Sequence, residues 1–397
     1  MDTTRVVQIN TTCGVGSTGK IAVSISELLT ERNIENHILF STDTSGYLLG
    51  ILCGDSIERK VQAFKSRLLG NYGFNSKAET RRMIRELDRI APTAVLLHNI
   101  HGHDCNLGLL FTYFRQKKIK LFWTFHDCWA FTGYCTNFTY VHCSKWRNGC
   151  NHCPQRKQYS WFFDRSAALY RKKKELFTGL DLTIITPSQW LADLVKQSFF
   201  GEYPVRVIHN GIDLSVFKPK PSDFREKYQI RKEKKILLGV AFGWGTRKGL
   251  DIFIELSKRL NSEKYQIVLV GTDEQIDRQL PTNIISIHKT CDQSELAQIY
   301  TTADVFVNPT REDNYPTVNM EAIACGTPVI TFNTGGSPEI VDEETGGVVD
   351  DENIDMLVEY ILAIQGGEFS TKKCIEHAKQ FDNKVRFEEY LSLLTGE

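Results

Sequence analysis

Short apolar runs recur along the chain, and most are followed by a polar or glycine-rich loop and then by an amphipathic segment. Uninterrupted apolar runs are typical of strands buried on both faces of a parallel sheet, and apolar residues three and four apart are typical of helices. The predicted helices include residues 21–29, 250–260, 293–301 and 385–394. The predicted strands are residues 6–10, 37–41, 94–97, 121–125, 182–185, 205–208, 236–240, 267–270, 284–287, 303–309 and 329–332.

The strand–helix pattern runs through the chain twice, with a glycine-rich loop after the first strand of each half. A chain of 397 residues is also too long for one ordinary core. We therefore predict an α/β protein with two doubly wound, Rossmann-like domains facing a cleft. The predicted domains are residues 1–215 and 216–380, divided just before the polar stretch 218–235, and residues 381–397 form a helix that crosses back to the first domain.

Residues 311–343 contain two successive strand–loop–helix connections. One helix is predicted to begin at Pro316 and to end at Gly326, and a second begins near Pro338. Both helices direct N-terminal amides to one place, which attracts phosphate. Glu321 lies one turn inside the first helix, where a carboxylate repels phosphate but accepts hydrogen bonds from a ribose diol. A nucleotide satisfies both demands.

The glycine-rich loop of the second half, residues 243–249, carries Arg247 and Lys248. These two cations are expected to neutralise a diphosphate bound near the helix that contains Glu321. Two basic residues in a loop can also be ordinary solvated surface, and that alternative stays open.

The first glycine-rich loop, residues 11–20, fits the G-x4-G-K spacing of a P-loop from Gly14 to Lys20. ATP and GTP hydrolases need a serine or threonine hydroxyl for magnesium at the next position, which is Ile21 here. We therefore favour a loop whose glycines let the backbone approach a ligand at the start of a helix. A tight turn without a ligand is the alternative.

Histidines follow two predicted strands: His98 and His101 come after residues 94–97, and His126 comes directly after residues 121–125. Ligands of open α/β sheets lie beyond the carboxyl ends of the strands. His126, which Asp127 follows, is the better candidate for contact with a substrate, although a lone histidine is as often structural.

Four cysteines lie within a short insertion at residues 135–153, and their spacing is C-x7-C-x6-C-x2-C. Four thiolates can form a tetrahedral structural zinc site, with His142 and His152 as alternative ligands. A reduced cluster without metal is the other interpretation. The predicted ligands are Cys135, Cys143, Cys150 and Cys153.

Composition narrows the class of protein. Apolar residues make up 41% of the chain, charged residues 24%, and the formal net charge is zero, so nothing favours nucleic acid as a partner. No apolar stretch approaches the ~20 residues that cross a bilayer. The chain enters an apolar strand almost at once, so we expect no secretory signal, and eleven cysteines then indicate a reducing compartment, the cytoplasm.

Two basic segments also carry aromatic and aliphatic residues: residues 57–90 and residues 156–174, the latter with Trp161, Phe162 and Phe163. A solvated helix face is the ordinary explanation for such a run. Basic residues beside exposed aromatic rings also suit an anionic membrane surface, or an acidic acceptor. Peripheral membrane contact is therefore a prediction to test.

Taken together, these motifs resemble a known family. Asp313 and Glu321 are separated by seven residues and followed by AIACGTPVI and GGSPE, which is similar to the E-x7-E signature of retaining glycosyltransferases of family 4. The resemblance covers essentially the whole chain. It is strongest to bacterial capsule, O-antigen and colanic-acid enzymes, which have segments similar to GSTGK, WTFHDCW, NGID, DNYP and the cysteine cluster.

The resemblance implies the two-domain GT-B fold and transfer of a sugar from a UDP-, GDP- or dTDP-sugar to a glycan acceptor, in particular a lipid-linked oligosaccharide at the inner face of the cytoplasmic membrane. Glu321 would bind the ribose of the donor. Asp313, with loop amides near Asn314 and Tyr315, would hold the hydroxyls of the donor sugar.

The same resemblance implies that Arg247 and Lys248 bind the diphosphate, helped by the amides of Thr317 and Val318. In the first domain, the loop at Gly16 and Ser17 would approach the donor phosphate or the acceptor, and His126 would contact the transferred sugar.

Two departures from the family pattern bear on this site. The first acidic residue is Asp313 rather than glutamate, which shortens its reach by one methylene. The arginine usual before the lysine is absent at Phe242, and Arg247 is the candidate substitute.

Retaining transfer in this family is usually described as same-face, with the leaving diphosphate helping to deprotonate the acceptor. No Asp-x-Asp pair lies in a suitable loop, so we expect no catalytic metal. The alternatives are a related GT-B epimerase or phosphorylase, and a zinc-stabilised binding protein without transfer activity.

Overall fold

The computed structural model describes residues 4–350, 352–363 and 369–396. The chain divides into two compact units, hereafter unit 1 (Met1–His209 and Arg386–Glu397) and unit 2 (Asn210–Val385). The predicted boundary lay a few residues further on, between 215 and 216.

Unit 1 contains a parallel sheet whose strands, in spatial order, are β3, β2, β1, β4, β5, β6 and β7. The order reverses direction between β1 and β4, as in other doubly wound sheets. The strands are β1 (Arg5–Ile9), β2 (Glu35–Phe40), β3 (Gly50–Leu52), β4 (Ala94–Leu97), β5 (Lys120–Thr124), β6 (Leu182–Thr186) and β7 (Val205–Val207).

The helices of unit 1 are α1 (Gly16–Glu31), α2 (Ser56–Leu69), α3 (Lys77–Ile90), α4 (Leu107–Lys117), α5 (Arg156–Tyr159), α6 (Ser166–Phe177) and α7 (Gln189–Lys196). Helix α1 begins five residues earlier than the apolar spacing predicted, because Gly16 and Ser17 already form its first turn. The chain ends in a helix at Asn383–Thr395, called α15 below. From Phe387 onward its apolar face packs in the core of unit 1, and the Tyr390 hydroxyl lies 3.2 Å from that of Thr124.

Unit 2 contains a second parallel sheet, with the strands in the order β10, β9, β8, β11, β12 and β13. The strand order reverses between β8 and β11, while all the strands stay parallel. The strands are β8 (Lys235–Val240), β9 (Tyr265–Val270), β10 (Ile284–Ile287), β11 (Val305–Asn308), β12 (Val329–Phe332) and β13 (Gly346–Val349). Its helices are α8 (Phe224–Lys227), α9 (Leu250–Arg259), α10 (Glu274–Asp277), α11 (Gln293–Thr302), α12 (Thr317–Ala324), α13 (Ile354–Ala363) and α14 (Thr371–Ala378).

The two parallel sheets confirm the predicted fold class, two Rossmann-like α/β domains. Each sheet is buried on both faces by helices, which is why its strands read as continuous apolar runs. None of the described helices is both long enough and apolar enough to span a bilayer.

The polar stretch 218–235 is folded in unit 2, although its composition is typical of a linker. Phe224 and Ile230 are buried in the core, and Arg225 forms a 2.9 Å ion pair with Asp304. Phe224 and Ile230 are two widely spaced apolar residues among charged ones, and they leave no periodic pattern in the sequence. This is why the stretch has the composition of a linker although it is folded.

Candidate active site

Two loops of unit 2 meet beyond the carboxyl ends of β11 and β12. The amide of Gly336 donates to the carbonyl of Asn314 (3.0 Å), and the hydroxyl of Thr334 donates to the carbonyl of Thr310 (2.7 Å). Gly335 has φ +58°, and a Cβ there would lie 1.6 Å from the carbonyl oxygen of Asp313. Only glycine fits this position, so the second loop fixes the conformation of the first.

Asp313 is held in this loop by two hydrogen bonds. Its Oδ1 accepts from the amide of Asn314 (2.9 Å), and its Oδ2 accepts from the Lys248 ammonium (2.6 Å). The Lys248 side chain is 18% exposed and the Asp313 side chain 24%. The two predicted catalytic residues of unit 2 are therefore in direct contact, within reach of solvent.

A close backbone approach places Lys248 there. Residues Thr246–Lys248 form a short 3-10 turn that ends at Gly249, whose φ is +75°. A Cβ at Gly249 would lie 2.4 Å from the carbonyl oxygen of Pro309, directly after β11. The glycine thus lets the basic turn pack against the loop that carries Asp313.

Arg247 is exposed, and its guanidinium donates to the carbonyl of Glu312 (3.3 Å). The neighbouring cation Arg311 is differently placed: it forms ion pairs with Asp251 and Glu352 at 2.8 and 2.9 Å, and its side chain is only 9% exposed. Arg247 and Lys248 are consequently the cations of this loop pair that can turn toward an anion.

Helix α12 begins at Thr317, one residue after Pro316. A proline side chain cannot cap a helix, and no side chain caps α12 at Pro316. The anion-binding role of the first-turn amides, including those of Thr317 and Val318, stays a prediction. The side chain of Tyr315 is buried in the core, so its contribution here is limited to the backbone.

Glu321, one turn further along α12, is half-buried, and its Oε2 accepts a hydrogen bond from the Tyr300 hydroxyl (3.1 Å). Tyr300 is fully buried on α11, and burial raises the pKa of its hydroxyl well above the ordinary range, so it stays a donor. The sequence did not predict Tyr300, because nothing in its neighbourhood distinguishes it from other core aromatics. It orients the carboxylate that the sequence assigned to the ribose.

In unit 1 the register of β4 against β5 pairs Leu97 with Trp123 and brings the histidines after both strands together. His98 Nδ1 lies 3.0 Å from His126 Nε2, and the rings are stacked. Burial lowers the pKa of His126 to about 4 and that of His98 well below its ordinary range. Both imidazoles are therefore neutral at neutral pH.

A second hydrogen-bonded pair, His101 and Asp127, lies beside His98 and His126. His101 Nε2 is 2.9 Å from Asp127 Oδ2, and Asp127 Oδ1 accepts from the amide of Trp129 (2.8 Å). Burial raises the pKa of Asp127, but His101 and the hydrogen bonds outweigh it, so the pKa lies below the usual carboxyl value. Both pairs line a small cavity at the carboxyl ends of β4 and β5.

Gly16 and Ser17 lie in the exposed first turn of α1. Gly16 has φ +69°, and no neighbouring atom lies within 4 Å of a Cβ built there. Its backbone conformation, not a close approach to other protein atoms, is what favours glycine. The roles assigned to Gly16 and Ser17 stay predictions.

The four cysteines of the insertion line a single cavity, together with Tyr134, Phe138 and Trp146. All four are free thiols. Burial raises the pKa of Cys135 to about 12 and that of Cys150 to about 11. Over the described ranges, no group of three or more His, Cys, Asp or Glu side chains has an arrangement that could hold a metal ion. The zinc site is therefore not supported by this arrangement and stays a prediction.

Two family models match the chain over nearly all of its length. One, described as Glycosyltransferase Family 4, matches residues 19–216, and the other, Glycosyl transferases group 1, matches residues 222–381. The chain belongs to glycosyltransferase family 4. This confirms the resemblance found in the sequence.

A curated relative supports this membership. The chain is 26% identical over 307 residues to the colanic acid biosynthesis glycosyl transferase WcaC of Escherichia coli K12, a match that covers 75% of this chain and 72% of WcaC.

Solved structures show that this family 4 chain has the GT-B fold. Sucrose-phosphate synthase from Thermosynechococcus elongatus superposes with a TM-score of 0.71 over 99% of this chain and 100% of that one, at 17% identity. Anabaena Alr3699/HepE, solved in complex with UDP-glucose, gives a TM-score of 0.68 over 99% of this chain and 100% of that one, at 14% identity. These identities establish the fold alone.

Proposed function

We propose that this glycosyltransferase transfers a sugar, with retention of configuration, from a nucleoside diphosphate donor to a lipid-linked glycan at the inner face of the cytoplasmic membrane. The observation that carries the proposal is the cluster in unit 2. There a half-buried lysine and the carboxylate of Asp313 lie on loops that two glycines hold close together, and the amino end of α12, with Glu321 one turn inside it, follows directly.

The cluster matches the parts of a nucleotide sugar. Lys248, Arg247 and the first amides of α12 supply positive charge for the diphosphate. Glu321, whose Oε2 accepts from the Tyr300 hydroxyl, supplies a carboxylate oxygen for the ribose hydroxyls. A vicinal diol is present in UDP and GDP but not in dTDP, so we propose that a UDP- or GDP-sugar binds more tightly than a dTDP-sugar. The UDP-glucose complex of HepE supports a nucleotide-sugar donor.

Asp313 has a second role in this scheme. Its Oδ2 accepts from Lys248, and an incoming diphosphate would compete for that ammonium. Movement of Lys248 to the diphosphate releases Asp313 to accept hydrogen bonds from the sugar hydroxyls. Donor binding thus converts an internal ion pair into two separate contacts. His126 of unit 1 is assigned a contact with the transferred sugar on the resemblance to the family.

Negative charge develops on the diphosphate as the glycosidic bond breaks, and the leaving phosphate oxygen can take the proton of the acceptor hydroxyl. Cations and helix amides that are already in place stabilise this charge more in the transition state than in the ground state. Because Lys248, Arg247 and α12 supply the positive charge, we propose that transfer requires no added divalent metal.

A surface of unit 1 supports the membrane location. We define the basic aromatic patch as the exposed residues Ile57, Lys60, Val61, Phe64, Lys65 and Arg67 of α2 together with Trp161, Phe162 and Phe163. The rings of Phe64 and Trp161 meet edge to face with centroids 5.5 Å apart, and the Trp161 amide donates to the carbonyl of Arg67 (2.8 Å). The two segments that the sequence separates therefore form one surface.

Exposure at this patch is high for apolar side chains: Ile57 is 72% exposed, Phe162 65% and Phe64 54%. Apolar groups can enter the acyl boundary while neighbouring lysines and arginines attract anionic headgroups, at about 1 kcal/mol for each basic residue. We propose an anionic bilayer as the partner of this surface.

Vesicle sedimentation tests that partner. The protein is expected to bind phosphatidylglycerol vesicles, to bind phosphatidylcholine vesicles weakly, and to lose binding as salt rises. The double variant Phe64→Ser/Trp161→Ser should abolish binding, whereas Leu48→Ser, which changes a 96% exposed apolar residue outside the patch, should not. Equal binding by all three proteins would rule the patch out.

Transfer itself is tested with UDP-, GDP- and dTDP-sugars, with and without a bacterial lipid-linked acceptor extract, in the presence of EDTA. We expect nucleotide release that depends on the acceptor, and an α-linked product from an α-linked donor. Release that needs no acceptor, or release that stops with EDTA, would contradict the proposed reaction or its metal independence respectively.

A further inference from the structure

A chain of three hydrogen bonds runs through unit 1 from β1 to His126. Gln8 Nε2 lies 2.9 Å from the carbonyl oxygen of Ala22, and Gln8 Oε1 lies 2.9 Å from His98 Nε2. His98 Nδ1 lies 3.0 Å from His126 Nε2. Gln8 is fully buried between the apolar residues Val7 and Ile9 of β1, and His98 is 1% exposed.

The direction of every proton in this chain follows from its first bond. The carbonyl of Ala22 can only accept, so the Gln8 amide nitrogen must face it and the Gln8 oxygen must face His98. That oxygen can only accept, which places the His98 proton on Nε2. A neutral His98 then has a lone pair on Nδ1, and the proton between the two rings belongs to His126 Nε2.

Both rings are neutral, as this assignment requires. Burial dominates the lowered pKa of each imidazole. The charged and titratable groups around them act in opposite senses on His126, since Asp127 raises its pKa and His101 lowers it. The Trp123 indole donates to the His98 carbonyl (3.0 Å), which holds the backbone at the end of β4.

We propose that Gln8 and His98 are positioning residues that fix the Nε2–H tautomer of His126, so that its Nδ1 can serve only as a hydrogen-bond acceptor. The group that His126 recognises is therefore a hydrogen-bond donor, such as a sugar hydroxyl, and not a carboxylate or phosphate oxygen. The tautomer follows from unit 1 alone, whereas its use in sugar transfer rests on the proposed function.

Nitrogen-15 NMR of the histidine-labelled protein tests the tautomer directly, because protonated and unprotonated ring nitrogens have well-separated shifts. Wild-type His126 should show Nε2 protonated and Nδ1 unprotonated at neutral pH, and His98 should show the same tautomer. Nδ1 protonation of His126, or a rapid mixture of tautomers, overturns the proposal. This measurement needs no variant and no substrate.

Two variants separate positioning from folding. Gln8→Met keeps the length of the side chain but removes the acceptor, so His126 should become a tautomer mixture and kcat should fall roughly 10- to 100-fold. Gln8→Glu places a carboxylate beside His98 and favours its imidazolium, whose Nδ1–H then forces the His126 proton to Nδ1. That variant should lose activity with falling pH, while the wild-type rate should show no titration of His98 or His126 near neutral pH.

Ser26→Ala is the matched control, because it removes another buried hydroxyl of unit 1, on α1, whose hydrogen-bond partners are Asn36 and Tyr47 rather than Gln8, His98 or His126. It should change neither the His126 shifts nor kcat. Unaltered shifts and rate in a folded Gln8→Met protein would overturn the proposal. If wild-type His126 has the assigned tautomer but the protein consumes no nucleotide sugar, the positioning role of Gln8 and His98 is upheld and the proposed function is refuted.

Discussion

Lys248 and Asp313 form a 2.6 Å ion pair at the junction of two loops in unit 2, with each side chain about one-fifth exposed to solvent. We propose that a bound diphosphate draws the Lys248 ammonium away from Asp313, which would link recognition of the phosphates to recognition of the sugar.

Removal of the Lys248 charge should impair the chemical step more than the fold. We expect Lys248→Met to lower kcat by roughly 100- to 1,000-fold, the usual effect of losing one preorganised group that stabilises transition-state charge. Because a partly exposed ion pair contributes little to stability, the melting temperature should change by only a few degrees. Lys258→Met, which removes an exposed lysine of α9, is the control for the loss of charge. A Lys248→Met enzyme with nearly wild-type kcat would exclude the proposed role.

The Tyr300 hydroxyl orients Glu321, so Tyr300→Phe should weaken donor binding. Loss of one neutral-to-charged hydrogen bond costs about 1 to 2 kcal/mol, so the donor KM should rise roughly 5- to 30-fold. The rate kcat should stay almost constant, since the ribose does not change during the reaction. Tyr228→Phe is the matched control in the same unit. An equal rise in KM for both variants would show that Tyr300 acts only through general packing.

Stability should depend on pH through Asp104, a carboxyl group of unit 1 that is 2% exposed. Burial raises the pKa of Asp104 to about 7, against a smaller opposing effect of the Thr11 hydroxyl. The folded protein therefore holds the proton more tightly than the unfolded chain, and stability falls as pH rises from about 4 to about 7.

Asp104→Asn removes this penalty. The variant should melt at a higher temperature than wild type at about pH 8, and the difference should be smaller at about pH 4, where the wild-type carboxyl is protonated in the folded protein and about half protonated in the unfolded chain. Calorimetric melting curves at the two pH values provide the comparison. A larger benefit at the acidic pH would contradict the sign of the pKa shift.

The cysteine cluster gives a prediction about metal. If Cys135, Cys143, Cys150 and Cys153 form the zinc site that their spacing predicts, purified protein should contain about one zinc per chain, and Cys150→Ser should release it and lower the melting temperature. Elemental analysis after expression in zinc-supplemented medium measures this. Protein that is folded, active and free of zinc would establish the cluster as reduced thiols that only line a cavity.

The candidate site was most predictable from the sequence where a short local pattern of residues is itself part of the site. Gly249, with its close approach to Pro309, and the seven-residue interval from Asp313 to Glu321 are local patterns, and the structure places both at the same junction of loops. The fold class was predictable for the same reason, since strands buried on two faces and helices buried on one leave distinct apolar patterns.

Partners that come from distant parts of the chain could not be predicted in this way. Tyr300 reaches Glu321 from another helix, and Gln8 reaches His98 across ninety residues. A glutamine inside an apolar strand was a usable signal, because a buried amide needs hydrogen-bond partners. The sequence could not identify His98 as the hydrogen-bond partner of Gln8, since that partner depends on the register of β1 against β4.

We propose above all that Glu321 binds the ribose diol of the donor nucleotide. Titration calorimetry of UDP and GDP, each against its 2′-deoxy analogue, tests this in wild type, in Glu321→Ala and in the exposed-carboxylate control Glu359→Ala. We predict that wild type and the control bind the ribonucleotide roughly tenfold or more tightly than the deoxy form, and that Glu321→Ala binds both with equal affinity. Discrimination that persists in Glu321→Ala, or no binding of either ribonucleotide by wild type, would contradict the claim.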